Sequence, residues 1–145
     1  MENKDFTCSI TANVTAKQAA DAISQVSAWW AKNTEGHSAE LEDVFTVRFG
    51  ETFVTFKITE FIPDTKIVWT VIDNYLPWLN NKTEWADTKV IFEISATENN
   101  QTSIHFTHQG LTPQVECYND CFAGWTGHIT GSLLNLLTTG KGQPE

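Results

Sequence analysis

Apolar and polar residues alternate along most of this chain, and the alternation predicts strands. Phe6, Cys8 and Ile10 fall on one side of the opening segment and Thr7, Ser9 and Thr11 on the other, the period of a half-buried strand. Thr15 then opens a helix. Gln18 sits three residues on, the spacing of a capping box, and Ala19, Ala22, Ile23 and Val26 make a narrow apolar stripe. Trp29-Trp30-Ala31 follows, and Asn33 to Glu40 reads as an irregular loop. From Val44 the alternation resumes. Phe45, Val47 and Phe49 share one face, then Val54, Phe56 and Ile58, then Ile67, Trp69 and Val71. Val90, Phe92 and Ile94 carry a fifth strand and Ile104, Phe106 and His108 a sixth. Gly50-Glu51, Pro63-Asp64 and Asn99-Asn100 mark turns, and Asp73 to Thr83 is a long connection. Pro113 opens the last helix, in which Phe122, Trp125, Ile129, Leu133 and Leu136 recur at helical spacing until Gly140 closes it.

The order is strand, helix, a meander of strands, long helix. A meander apolar on one face needs cover there, and the C-terminal helix is the element long enough to supply it. The expected architecture is α+β, an antiparallel sheet of about six strands wrapped around the C-terminal helix. Any space between them that side chains do not fill becomes a cavity.

Several segments carry a family resemblance. Ile58-Thr59-Glu60-Phe61-Ile62-Pro63 leads into Ile67-Val68-Trp69. The hairpin from Thr88 to Leu111 follows, with Thr107-His108-Gln109-Gly110-Leu111 at its end. Last come the helix with Gly124-Trp125 and the close Thr139-Gly140-Lys141-Gly142-Gln143-Pro144. In this order, across nearly the whole chain, they resemble the AHSA-type proteins, single-domain relatives of the chaperone-ATPase activator within the START-like or SRPBCC superfamily. The chain departs from the family pattern in having Ala39-Glu40 where a Gly-Gly pair is usual. The resemblance implies a helix-grip fold and, from the wider superfamily, an apolar ligand cavity. It also implies two alternatives: a module that meets a chaperone in stress response, or a cyclase- or hydratase-like enzyme using the same cavity.

Composition narrows the partners. A chain of 145 residues is expected to form one domain with a core that needs no metal or disulfide. The net charge of −9 repels phosphate backbones and anionic headgroups, so neither nucleic acid nor membrane insertion is expected. The polar start, Met1 to Asp5, has no apolar signal region, and three cysteines fit a reducing cytoplasm better than a disulfide framework. The sequons at Asn13, Asn81 and Asn100 are then chance matches.

The residues that could carry chemistry are mostly aromatic. Six tryptophans stand in the chain; Trp69 and Trp125 fall on core-facing positions, Trp29, Trp30, Trp78 and Trp85 at element ends and loops. Rings on inner faces either fill the core or line a pocket. The ligand-binding set expected from them is Phe56, Trp69, Phe92, Phe106, His108, Tyr118, Phe122, Trp125 and Ile129. The expected ligand is a small hydrophobic molecule, lipid-like or an aromatic metabolite, with no cofactor. His108, with Glu60 on the face of Ile58, is the acid–base pair an enzyme would use. No nucleophile motif, P-loop or dinucleotide fingerprint accompanies them. Cys117 and Cys121, with His128, offer three zinc ligands but not the usual spacing, and buried free thiols are expected instead. Gly124, Gly127 and Gly131, each costing a helix about 1 kcal/mol, are expected where the helix packs closely on the sheet. Sequence leaves open whether the protein is a monomer or a homodimer.

Overall fold

The computed structural model describes residues 5–97 and 99–145. The polar start from Met1 to Lys4 lies outside them. The strands are β1 (Phe6–Ala12), β2 (Asn33–Gly36), β3 (Val44–Phe49), β4 (Thr52–Ile62), β5 (Lys66–Tyr75), β6 (Lys89–Ala96) and β7 (Thr102–Gln109). They form one antiparallel sheet in the order β1-β7-β6-β5-β4-β3-β2. Helices α1 (Ala16–Ser24) and α2 (Val26–Trp29) connect β1 to β2. At the C-terminal end α3 (Tyr118–Thr126) runs without interruption through a π-helical stretch, Gly127–Leu133, into α4 (Leu134–Thr139).

The alternating segments became strands, and their pairing lines the apolar positions up in rows. Phe6, His108, Val90, Trp69 and Ile58 stand opposite one another across five strands. Phe106, Phe92 and Ile67 make the next row. The C-terminal helix covers this face, as the ring of Trp125, 4.7 Å from that of Phe106, shows. The capping box at the start of α1 is made in full. Thr15 Oγ1 accepts from the Gln18 N–H at 3.1 Å, and the Gln18 side chain accepts from the Thr15 N–H at 2.8 Å.

Four features depart from the pattern. The sheet has seven strands rather than six, because Asn33–Gly36 pairs with Phe45 to Arg48 as an edge. A polar edge strand shows no alternation, so nothing in its side chains announces it. Asp73 and Asn74 continue β5 instead of beginning the long connection. The last helix starts at Tyr118 rather than Pro113. The Glu84 carboxylate, reaching over from the β5–β6 connection, takes the N–H groups of Glu116 and Cys117 at 2.6 and 3.0 Å and holds the turns ahead of the helix. Finally, Cys117 and Cys121 are buried as expected but form a disulfide rather than free thiols. Their four-residue spacing brings the Cα atoms to 5.6 Å, within the reach of such a bridge. Cys8 is the free thiol, and burial pushes its pKa up to about 11.

After the helix the chain doubles back. Gly140 ends it in the left-handed conformation at φ 82°. Gly142 then lies so close to Ala28 and Trp29 that a side chain would strike their backbone. Gln143 N–H donates to Ser132 Oγ at 2.6 Å, Glu145 N–H to the Trp30 carbonyl at 2.9 Å, and Lys32 N–H to the Glu145 carbonyl at 2.8 Å. This strap places Glu145 beside the site described next.

Candidate functional site

Most of the space between sheet and helix is filled. Phe56, Trp69, Phe92, Phe106 and Ile129 are fully buried. The Trp69 ring is wedged 4.9, 4.8 and 5.4 Å from those of Phe45, Phe92 and Phe56. Its indole N–H has no partner, which is tolerated at a cost of about 1–3 kcal/mol only because packing holds the ring. These residues form the interior and do not border open space.

Open space remains at one end of the sheet, where β3, β4, the β5–β6 connection and the C-terminal helix meet. A groove of about 200 Å³ lies there. Trp30, Trp85 and Trp125 form its floor, Phe49, Val54 and Leu76 one wall, and Gly124 and His128 the other. Trp78, half exposed, stands at the rim with Asp120 and Glu145. The floor rings pack on one another: Trp125 lies 4.7 Å from Trp30 and stacks at 6.0 Å on Trp85. A second, larger hollow of about 650 Å³, between α1 and the β4–β5 turn, is lined by the charged Lys17, Asp21 and Asp64 together with Ala20, Phe61 and Pro63, and holds no tryptophan.

Beneath the floor lies a buried polar chain. Indole N–H groups only donate, so Trp125 Nε1, 3.0 Å from His108 Nδ1, fixes that nitrogen as an acceptor. The proton therefore sits on Nε2, which donates to Thr88 Oγ1 at 2.9 Å, and Thr88 donates on to the Trp85 carbonyl at 2.7 Å. Burial lowers the His108 pKa to about 3, so the ring is neutral. Both nitrogens are engaged and no lone pair is left to take a proton from a ligand. His108 works as a fastener that holds two floor tryptophans at a set angle. His128, on the groove wall, is also held below its ordinary pKa by burial, against the opposing charge of Glu145, 3.9 Å away.

The other sequence candidates are dispersed. Glu60 is not on the inner face with Ile58. The register slips between Ile58 and Glu60, so Phe61 rather than Glu60 stands opposite the inward Ile67. Glu60 pairs instead with Lys66 at 3.5 Å, far from any role beside His108. A bulge of this kind is invisible in an alternating sequence. Phe122 is 44% exposed and meets Phe6 and Tyr118 rather than the groove. Of the expected ligand-binding set, Trp125 alone borders the groove.

Trp30, Trp85, Phe49, Val54 and Leu76 border the groove and were not among the residues expected from the sequence to line a pocket. For Trp30 a signal existed: it continues the stripe of Ile23 and Val26 at helical spacing. For Trp85 none did, since long-range bonds hold its loop. Glu116 accepts the N–H groups of Asn80 and Asn81 while Glu84 caps the turns before α3. Trp85 Nε1 also donates to Cys117 Sγ at 3.4 Å. The helix glycines were expected to pack against the sheet. A side chain at Gly124, Gly127 or Gly131 would instead meet nothing within 4 Å.

An antiparallel sheet with a C-terminal helix laid across its apolar face is a helix-grip architecture. Solved structures share it. The Aha1 dimer of Colwellia psychrerythraea is 24% identical and aligns over 98% of this chain and 100% of its own, with a TM-score of 0.77. Protein SSP2350 of Staphylococcus saprophyticus is 15% identical over 97% of this chain and 96% of its own, with a TM-score of 0.71. DynU16, from the dynemicin biosynthetic locus, is 14% identical over 94% of this chain and 48% of its own, at 0.68. No protein-family model matches the chain, and no curated protein does. The resemblance to AHSA-type proteins is thus met in three dimensions, and what these likenesses show is the fold.

Proposed function

We propose that the protein binds a small apolar molecule in the tryptophan-floored groove. The observation that carries this reading is the groove itself: about 200 Å³ of open space beside a core that is otherwise closed, floored by three indole rings. A dry cavity of about 150 Å³ takes benzene, whereas sites for drug-sized ligands run from about 300 Å³ upward. The size therefore favours a body of one ring, or a short branched chain, over a lipid or sterol. Flat rings contribute contact area at little conformational cost, and the polar groups at the rim set orientation. The neighbour from a biosynthetic locus is in keeping with a small-molecule ligand.

Gly124 supplies the test. It lines the groove, sits in a helix, and has nothing within 4 Å of where a side chain would start. Gly124→Leu should fold as well as the parent or slightly better, by up to about 1 kcal/mol, because glycine is a poor helix former. It should also fill the groove. With neopentylbenzene as the probe, tryptophan fluorescence should report saturable binding to the parent and at least a tenfold weaker response in the variant. Equal binding by both proteins would place the ligand elsewhere.

A second reading rests on Trp78, an indole half exposed at the rim, and on the dimeric state of the Colwellia Aha1 structure. In it the same rim meets a protein, either a second copy or a chaperone. Sedimentation velocity separates the two readings. A monomer that binds the probe supports the small-molecule reading; a dimer that Trp78→Ser dissociates supports the other.

A further inference from the structure

The groove differs from an ordinary apolar pocket in the sign of its polar groups. Asp120 and Glu145 stand at its rim, and among the described residues no lysine or arginine lines it. Lys82, the ammonium of the neighbouring connection, is occupied by the carbonyls of Pro77 and Leu79 at 3.2 and 2.9 Å. His128 on the wall is held toward its neutral form by burial. The charged groups at the groove's rim are thus both carboxylates. Three indole rings line the floor, and tryptophan is the strongest cation–π partner among side chains.

We infer that the ligand is a cation: an apolar body of about one ring carrying an ammonium or quaternary ammonium head, seated against Trp30, Trp85 and Trp125 with its charge toward Asp120 and Glu145. This deepens the proposed function and rests on it. Two features agree on the sign: the aromatic floor and the acidic rim, with no lysine or arginine among the described lining residues. The net charge of −9 adds a long-range field that draws cations to the surface and turns anions away. Discrimination comes as much from what the groove lacks as from what it holds. An anionic ligand of the same shape would meet two carboxylates at the rim and no lysine or arginine among the described lining residues.

Three probes of nearly one shape test the inference: benzyltrimethylammonium, its uncharged carbon isostere neopentylbenzene, and the anion phenylmethanesulfonate. Each is titrated into the parent protein and into Asp120→Asn and Glu145→Gln variants. The cation is expected to bind at least tenfold more tightly than the neutral isostere, and the anion not to bind measurably. Each exposed rim variant should weaken the cation about threefold and leave the neutral probe unchanged. Neutral binding equal to or tighter than cation binding, or rim variants without effect on the cation, would overturn the inference while leaving an apolar groove. Failure of both cation and neutral probe to bind would overturn the proposed function along with it.

Discussion

Trp125→Ala is expected to cost more stability than any other single change at the site. Its ring is 2% exposed and sits 4.7 Å from both Phe106 and Trp30, so truncation extends the groove into the aromatic core. Losses of about 3–5 kcal/mol are usual for such a change. His108 Nδ1 also loses its donor at 3.0 Å, and an acceptor left unpaired at full burial adds about 1–3 kcal/mol. Against the roughly 5–15 kcal/mol that holds a domain together, the variant is left marginal. Trp125→Phe divides the two contributions, since it keeps an aromatic ring and removes the N–H. Urea denaturation of the three proteins should rank them parent, Phe, Ala. A loss below about 1 kcal/mol for Trp125→Ala would mean that the ring lines open space and the core does not depend on it.

Acid should destabilise the fold through His108. In the unfolded chain this residue takes up a proton near its ordinary pKa of 6.5; in the folded protein burial lowers that to about 3. Between those values the unfolded state holds the extra proton, so stability rises with pH there. His108's contribution is fully present above pH 6.5 and is lost as pH falls toward 3, at up to about 1.4 kcal/mol per pH unit. His128, lowered by the same cause, acts in the same direction. His108→Leu should be less stable than the parent at pH 7, because the Trp125 indole and Thr88 lose their partner. Between pH 6 and 4 its stability should fall less steeply than the parent's. A parent whose His108 ring titrates near 6.5 by NMR would contradict the buried chain from Trp125 to Trp85.

What could be foreseen from the residues followed from periodicity. β1 and β3 to β7 alternate because each has one face in the core, and Thr15 with Gln18 signals α1 through a purely local bond pair. Three kinds of feature escaped. β2 is polar on both faces and is defined by its neighbour's backbone. The register slip after Ile58 turns Glu60 away from His108, yet changes no residue type. The groove depends on the connection from Leu76 to Trp85, which is held by carboxylate contacts spanning more than thirty positions in sequence, Glu116 with Asn80 and Glu84 with Cys117. The expected pocket followed the inward rings. Those rings packed against each other, and the opening formed where the inward rows end.

In the proposed function this end of the sheet, and not the interior, receives the ligand. The six indole N–H groups are separate reporters of it. In ¹⁵N-labelled protein titrated with neopentylbenzene, the resonances of Trp30, Trp78, Trp85 and Trp125 should move together along one saturation curve, with those of Trp29 and Trp69 nearly fixed. Gly124→Leu should abolish the movement. Shifts concentrated at Trp29 and Trp69, or no shift at any indole with the probe at its solubility limit, would contradict the account.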